Sequence, residues 1–146
     1  TGEMEVTGSH NITISADQLF EEVNFAEYNM IVLPGGIPGA LNLKKHIGLQ
    51  NQILDFHKNR KFLGAICAAP LVFGNLGILK NVTATCYPGF EDQLLGAEVT
   101  TNNVELSDKI VTGKGAGVAM EFALKIVEMF KGKVLAVELA EKMILN

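Results

Sequence analysis

The stretch FLGAICAAPLVFG (Phe62–Gly74) joins a strand-like apolar run to a helix-like run through a lone cysteine, Cys67. The residues on both sides of that cysteine, at positions 64, 65, 68 and 69, are glycine or alanine. This pattern is typical of a nucleophile elbow, a sharp turn from strand to helix in which closely spaced backbone segments exclude bulky neighbours. Pro70 suits the first turn of the following helix. The alternative is a buried cysteine packed as a small hydrophobic residue, and the local sequence favours neither.

Segments typical of strands and helices alternate on both sides of the elbow. Short apolar runs read as buried strands, and longer runs with a helical spacing of apolar residues separate them. The predicted strands lie at residues 30–33, 61–67, 82–88 and 109–115, and the predicted helices at 40–60, 69–79, 117–132 and 134–145. This order predicts one α/β domain over residues 1–146, a three-layer sandwich around a mostly parallel sheet.

Two loops of small residues are expected at the carboxyl edge of this sheet, where α/β proteins collect their chemistry. One is the elbow, and the other is the LPGG segment that contains Gly35 and Gly36. Glycine amides can turn inward and form part of an oxyanion hole, because no side chain obstructs them. A plain tight turn explains the same two glycines, and the segment alone favours that interpretation.

Composition excludes several classes of function. The chain has 146 residues, 48% of them hydrophobic and 19% charged, with a net charge of −4 and a single arginine. We therefore expect no nucleic-acid partner, since nucleic-acid binding requires clustered basic residues. No apolar run has the length of a membrane span, and we expect no membrane partner. Two cysteines and no ligand-spacing motif predict a reducing, cytoplasmic location and no metal.

A glycine-rich segment before the third long helix, TGKGAGVAME, predicts a tight turn and no cofactor. It lacks the GK[ST] ending of a P-loop, and Val118 stands where the last glycine of a dinucleotide-binding pattern would fall. Cys86, late in a predicted strand, reads first as a buried small residue and second as a redox partner of Cys67. The three histidines, at positions 10, 46 and 57, are predicted to be surface residues.

Three segments, VLPGG, GAICAAPLVFGNLGILKNVTATCYPGFEDQL and VTGKGAGVAMEFALKIVE, resemble corresponding parts of the ThiJ/PfpI superfamily. The branch that they resemble most is that of the Parkinson-associated protein deglycases. The resemblance covers nearly the whole chain in one order. It implies a flavodoxin-like sandwich, similar to class I glutamine amidotransferases, and a homodimer.

The resemblance also implies a site. Cys67 would be the catalytic cysteine, and the backbone of Gly36 and Ala68 would supply the oxyanion donors. Two further oxyanion or substrate-binding candidates come from the residues themselves: Gly35, through its position in the LPGG loop, and Tyr87, through a hydroxyl near the pocket. Family members are credited with glyoxalase activity on methylglyoxal without glutathione, with removal of early glycation adducts, and with chaperone and oxidation-sensing roles. The expected partners are therefore a small carbonyl substrate or a glycated protein, with no metal or organic cofactor.

The sequence departs from the family pattern at three places. The protease-like branch has a histidine after the nucleophile, where this chain has Ala68, so peptidase activity is not expected. Some deglycase members have a histidine where this chain has Tyr87. The family also begins with a strand, a loop with a glutamate acid/base, a helix and a second strand, which nothing here matches. We therefore expect the domain to be incomplete at its N-terminus, with the loss leaving two inner strands unpaired.

Overall fold

The computed structural model describes residues 2–8 and 10–145. It contains eight strands and five α-helices within those residues. The strands are β1 Glu5–Thr7, β2 Thr13–Ser15, β3 Met30–Leu33, β4 Phe62–Ile66, β5 Thr83–Ala84, β6 Glu98–Val99, β7 Val104–Ser107 and β8 Ile110–Gly113. The helices are α1 Gly39–Lys45, α2 Ile47–Lys58, α3 Pro70–Asn75, α4 Ala119–Lys131 and α5 Lys133–Lys142. Short 3-10 turns lie at Phe20–Glu22, Phe25–Glu27, Glu91–Gln93 and Ala116–Val118.

The central sheet has four strands in the order β3-β4-β8-β7. Strands β3, β4 and β8 run parallel, and β7 pairs with β8 in the antiparallel direction. The carboxyl ends of β3, β4 and β8 therefore lie along one edge of the sheet. The mostly parallel sheet expected from the sequence is confirmed.

Helices cover both faces of this sheet, which makes three layers. Leu63 and Ala65 of β4 belong to a fully buried core that also contains Ile53 and Phe56 of α2. On the opposite face, a Cβ atom added at Gly64 would lie 3.3 Å from Phe122 Cζ of α4. Side chains alternate between the two faces of a strand, so α2 and α4 pack on opposite sides, and the predicted α/β sandwich is confirmed.

The helix predicted over residues 40–60 is two helices. His46 separates them because its backbone is extended, with φ −79° and ψ 100°. Its Nδ1 accepts a hydrogen bond of 3.0 Å from Leu49 N–H, which satisfies one of the free donors at the start of α2. The prediction of His46 as a surface residue was wrong: it is half-buried, and its ring lies edge-on to Phe20.

The strand predicted over residues 82–88 is much shorter and does not join the central sheet. Only Thr83–Ala84 is a strand, and it pairs with β6 in a separate two-stranded sheet. Beyond it, Thr85 N–H donates to Thr112 Oγ1 of β8 at 2.9 Å. A side-chain hydroxyl thus replaces the backbone acceptor that a continuous ladder would provide, and the segment stays attached to β8.

Strand β3 forms an edge of the central sheet, and its outer side is unpaired among the described strands. Val32 at its centre is 45% exposed. The expectation of two unpaired inner strands was wrong, because β4 and β8 are each paired on both sides. None of the helices within the described residues is both long and apolar enough to cross a membrane.

Candidate active site

Cys67 lies in the turn between β4 and α3, as the sequence predicts. Its φ is +64°, a left-handed conformation that is uncommon for a residue with a side chain. Its N–H donates to Gly113 O at 2.8 Å, and Ala69 N–H donates to Ile66 O at 3.2 Å. These two hydrogen bonds fix the elbow between β8 and the end of β4. The cysteine is a free thiol and is partly exposed.

The LPGG loop at the end of β3 touches the elbow directly. A Cβ atom added at Gly35 would lie 2.5 Å from Cys67 Cβ and 2.7 Å from Ile66 O. Ordinary contacts of a Cβ atom begin at about 3.4 Å, so a side chain at this position would displace one of the two loops. Gly36 has a different requirement, since its φ is +90°. Glycine is thus required at position 35 because Cys67 is so close, and it is favoured at position 36 by the backbone conformation.

Three backbone amides at the elbow remain available to a ligand. The N–H groups of Gly35, Gly36 and Ala68 donate to no acceptor in the part of the chain that the structure describes. The added Cβ of Gly35 would also lie 3.2 Å from Ala68 N, so the two loops bring amides together beside the thiol. Donors of this kind can stabilise negative charge on an oxygen atom.

Tyr87 also contacts the elbow. Its N–H donates to Cys67 O at 2.8 Å. A Cβ atom added at Gly115 would lie 3.5 Å from Tyr87 Cδ2, so the ring lies beside the loop after β8. The side chain is 50% exposed. The structure therefore brings Tyr87 next to Cys67, and its part in binding a substrate stays a prediction.

Cys86 is buried, with 4% of its surface exposed. Burial, together with the negative charges of Glu91 and Cys67, raises the pKa of the Cys86 thiol to about 11. It remains a neutral thiol near pH 7. The first interpretation of Cys86 from the sequence, a buried small residue, is confirmed.

Two residues that position this site were missed by the sequence analysis. Thr85 and Thr112 are fully buried polar residues. Besides the bond between them, Thr85 Oγ1 donates to Asn102 O at 2.9 Å. Together they hold the segment of Cys86 and Tyr87 against β8. The signal was present as threonines inside two apolar strand-like runs, TAT and IVTG, where a buried hydroxyl requires a partner.

A cavity of about 510 Å³ is lined in part by the LPGG loop. The β1–β2 hairpin, the turn at Phe20 and helices α1 and α2 enclose it, and Pro34, Gly35 and His46 are among its lining residues. Cys67 is not among them. Within the described residues, no group of three or more His, Cys, Asp or Glu side chains could hold a metal ion.

The fold and the elbow define a class of protein: an α/β sandwich with a cysteine at the strand-to-helix turn on the carboxyl edge of its sheet. A profile of the DJ-1/PfpI family matches residues 1–129. The chain belongs to this family, and the family resemblance found in the sequence is confirmed.

Several relatives of known name match most of the chain. It is 36% identical over 143 residues to Protein DJ-1 homolog B of Arabidopsis thaliana, covering 97% of this chain and 33% of the relative. The chain thus spans about a third of that protein. It is 35% identical over 121 residues to the glutathione-independent glyoxalase DJR-1.2 of Caenorhabditis elegans, covering 82% of this chain and 64% of the relative. A protein named as a deglycase, from Pyrococcus abyssi, is 30% identical over 105 residues, with coverages of 69% and 60%.

Among solved structures, oxidized DJ-1 of Toxoplasma gondii superposes with a TM-score of 0.92 at 32% identity. The match covers 99% of this chain and 79% of that one. The flavodoxin-like fold expected from the family resemblance is therefore confirmed.

Proposed function

We propose that this chain carries the reactive cysteine of an enzyme that acts on reactive dicarbonyls such as methylglyoxal, or on early glycation adducts. The observation that carries the proposal is the elbow: Cys67, partly exposed at φ +64°, beside backbone amides without acceptors in the described residues. Relatives named as a glyoxalase and a deglycase support this class of substrate.

The proposed reaction begins with attack of the Cys67 thiolate on the aldehyde carbon of the substrate. A carbon–sulfur bond forms, the carbonyl electron pair moves to oxygen, and a hemithioacetal results. The amides of Gly36 and Ala68 stabilise the oxyanion. Proton transfer between the two substrate carbons, followed by addition of water and release of the thiol, gives a hydroxy acid. Overall, methylglyoxal and water give lactate, with no external oxidant or reductant.

The proton transfer needs an acid/base group. No carboxylate within the described residues is hydrogen-bonded to Cys67. We propose that it is the glutamate that the family resemblance implies in an upstream segment. The open edge of β3 is where a strand of that segment would pair. The incomplete N-terminus, the homodimer and the cytoplasmic location stay predictions.

The test measures lactate formed from methylglyoxal by the full natural polypeptide that contains this chain. We expect Cys67→Ser to lose at least about a hundredfold in turnover, because a hydroxyl at the elbow is a far weaker nucleophile. Cys86→Ala is the matched control, since it removes the other thiol and keeps the elbow. Equal turnover of Cys67→Ser and the wild-type protein would contradict the proposal.

A second candidate function is a non-enzymatic sensor of oxidative stress or a chaperone. One solved relative is described as oxidized, and thiolate character favours oxidation as it favours nucleophilic attack. This function predicts that neither the wild-type protein nor Cys67→Ser forms lactate from methylglyoxal. It predicts that peroxide-treated wild-type protein, but not peroxide-treated Cys67→Ser, suppresses aggregation of a denatured test protein.

A further inference from the structure

We propose that Cys67 and Cys86 form an intramolecular disulfide when peroxide oxidises Cys67. The inference rests on the same reactive thiol as the proposed function. It adds a modification site that the reaction itself does not use. If the thiols pair, the elbow can be switched off and restored by reduction.

The backbone brings the two cysteines within range of each other. Tyr87 N–H donates to Cys67 O at 2.8 Å, and Tyr87 directly follows Cys86. Among the described residues the cis peptide bond is Ile37–Pro38, so the bond between residues 86 and 87 is trans. Standard peptide and hydrogen-bond geometry then places the two Cα atoms within about 7 Å. Disulfides usually join Cα atoms about 4.4–6.8 Å apart.

The two thiols differ in a way that sets the order of events. Cys67 is partly exposed, so peroxide from solvent can reach its sulfur. Cys86 is buried and stays protonated at neutral pH, so direct oxidation there is slow. Cys86 can still attack the oxidised sulfur of Cys67, because a reaction within the protein does not need a solvent-exposed thiol.

The chemistry balances with hydrogen peroxide as the oxidant. The Cys67 thiolate attacks one peroxide oxygen, the O–O bond breaks, and Cys67 sulfenic acid and hydroxide form. The Cys86 sulfur then attacks the Cys67 sulfur, the S–O bond breaks, and water leaves with the thiol proton.

The disulfide would prevent further oxidation of the elbow. A sulfenic acid that finds no thiol can take up a second oxygen and become a sulfinic acid, which ordinary dithiols do not reduce. A disulfide is reduced by dithiothreitol to the two original thiols.

The two cysteines can be followed separately by mass spectrometry. Trypsin cleaves after Lys61, Lys80 and Lys109, which puts Cys67 and Cys86 on the neighbouring peptides 62–80 and 81–109. The full chain is treated with stoichiometric hydrogen peroxide, the monomer is isolated, and digestion is carried out without reductant. We expect the two peptides to be cross-linked, with loss of two hydrogens, and dithiothreitol to restore both thiols.

The control variant is Cys86→Ala, which keeps the elbow and removes the second thiol. We expect at least about tenfold more sulfinic acid at Cys67 in this variant, without recovery by dithiothreitol. If the variant does not fold, the cross-link in the wild-type chain decides alone. Sulfinic acid at Cys67 of the wild-type chain with a free Cys86, or a cross-link only between chains, overturns the disulfide and leaves the proposed function intact. No oxidation of Cys67 also overturns the disulfide, whereas the proposed function is decided separately by the lactate assay.

Discussion

Replacing Gly35 with alanine is expected to displace the elbow that carries Cys67. The added Cβ would lie 2.5 Å from Cys67 Cβ and 2.7 Å from Ile66 O. Neither neighbour is the flexible end of a long side chain: one is fixed by the φ of the elbow, and the other is a backbone carbonyl at the end of β4. About 1 Å of movement in one loop or the other is needed to restore ordinary contact.

The size of the effect follows from this overlap. Forcing an extra carbon into a closely packed site typically costs about 1–3 kcal/mol of unfolding free energy. For a domain of this size, that corresponds to a fall in melting temperature of about 3–10 °C. A displacement of about 1 Å at a reacting group can lower a rate about a hundredfold. We expect the rate at which iodoacetamide alkylates Cys67 to fall together with the melting temperature. We expect methylglyoxal turnover by the full natural polypeptide to fall with them.

Gly39→Ala is the matched control, because an added Cβ at Gly39 has nothing within 4 Å and its φ is ordinary. Since alanine favours a helix over glycine, this variant is expected to melt at the wild-type temperature or slightly above. If Gly35→Ala melts and reacts as Gly39→Ala does, the close approach of the LPGG loop to Cys67 is wrong.

Three further changes test other parts of the structure by thermal or denaturant unfolding. Gly74→Ala is expected to lower the free energy of unfolding by about 3 kcal/mol, because its Cβ would overlap Gln93 O. Gly117→Ala is the control, because an added Cβ there meets open space. Equal stability of the two variants would contradict the prediction. Lys61→Met is expected to cost about 1 kcal/mol more than Lys58→Met, because the Lys61 ammonium donates to three carbonyl oxygens, including Tyr28 O at 2.7 Å. The wild-type chain is expected to lose on the order of 2 kcal/mol relative to Cys86→Ala as pH rises from 9 to about 11. In that range the unfolded chain ionises Cys86 and the folded chain keeps it neutral, so a loss below pH 9 would contradict the burial of this thiol.

The sequence predicted the fold where local pattern and tertiary packing agree. β4 was found as expected, since its buried side chains are flanked by a lysine and the elbow. α4 was also found as expected, and it ends at Gly132, whose φ is +88°. The break at His46 was missed because helical spacing continues through it, while the break depends on a cap between Nδ1 and Leu49. The separate strand β5 was missed because its attachment to β8 uses threonine hydroxyls, which no periodic pattern reveals.

The site was predictable to the extent that close backbone contacts require small residues, which are visible in the sequence. Cys67 lies at the elbow because the residues around it are small, and Gly35 is a glycine because Cys67 is next to it. The sequence could not show that Tyr87 N–H binds Cys67 O, since that contact depends on how two loops from distant parts of the chain meet. Nor could it show the raised pKa of Cys86, which results from burial in the folded chain.

Strand β3 has a consequence for the behaviour of this chain in solution. Its residues, MIVL, carry no charge, and one side of its backbone has no partner strand among the described residues. An edge of this kind offers donors and acceptors to any other extended chain, and proteins usually protect such edges with charges, proline or a covering element. An uncovered β3 edge therefore favours edge-to-edge pairing between molecules at high concentration. A covering strand would make the same chain soluble without any change in its surface charge.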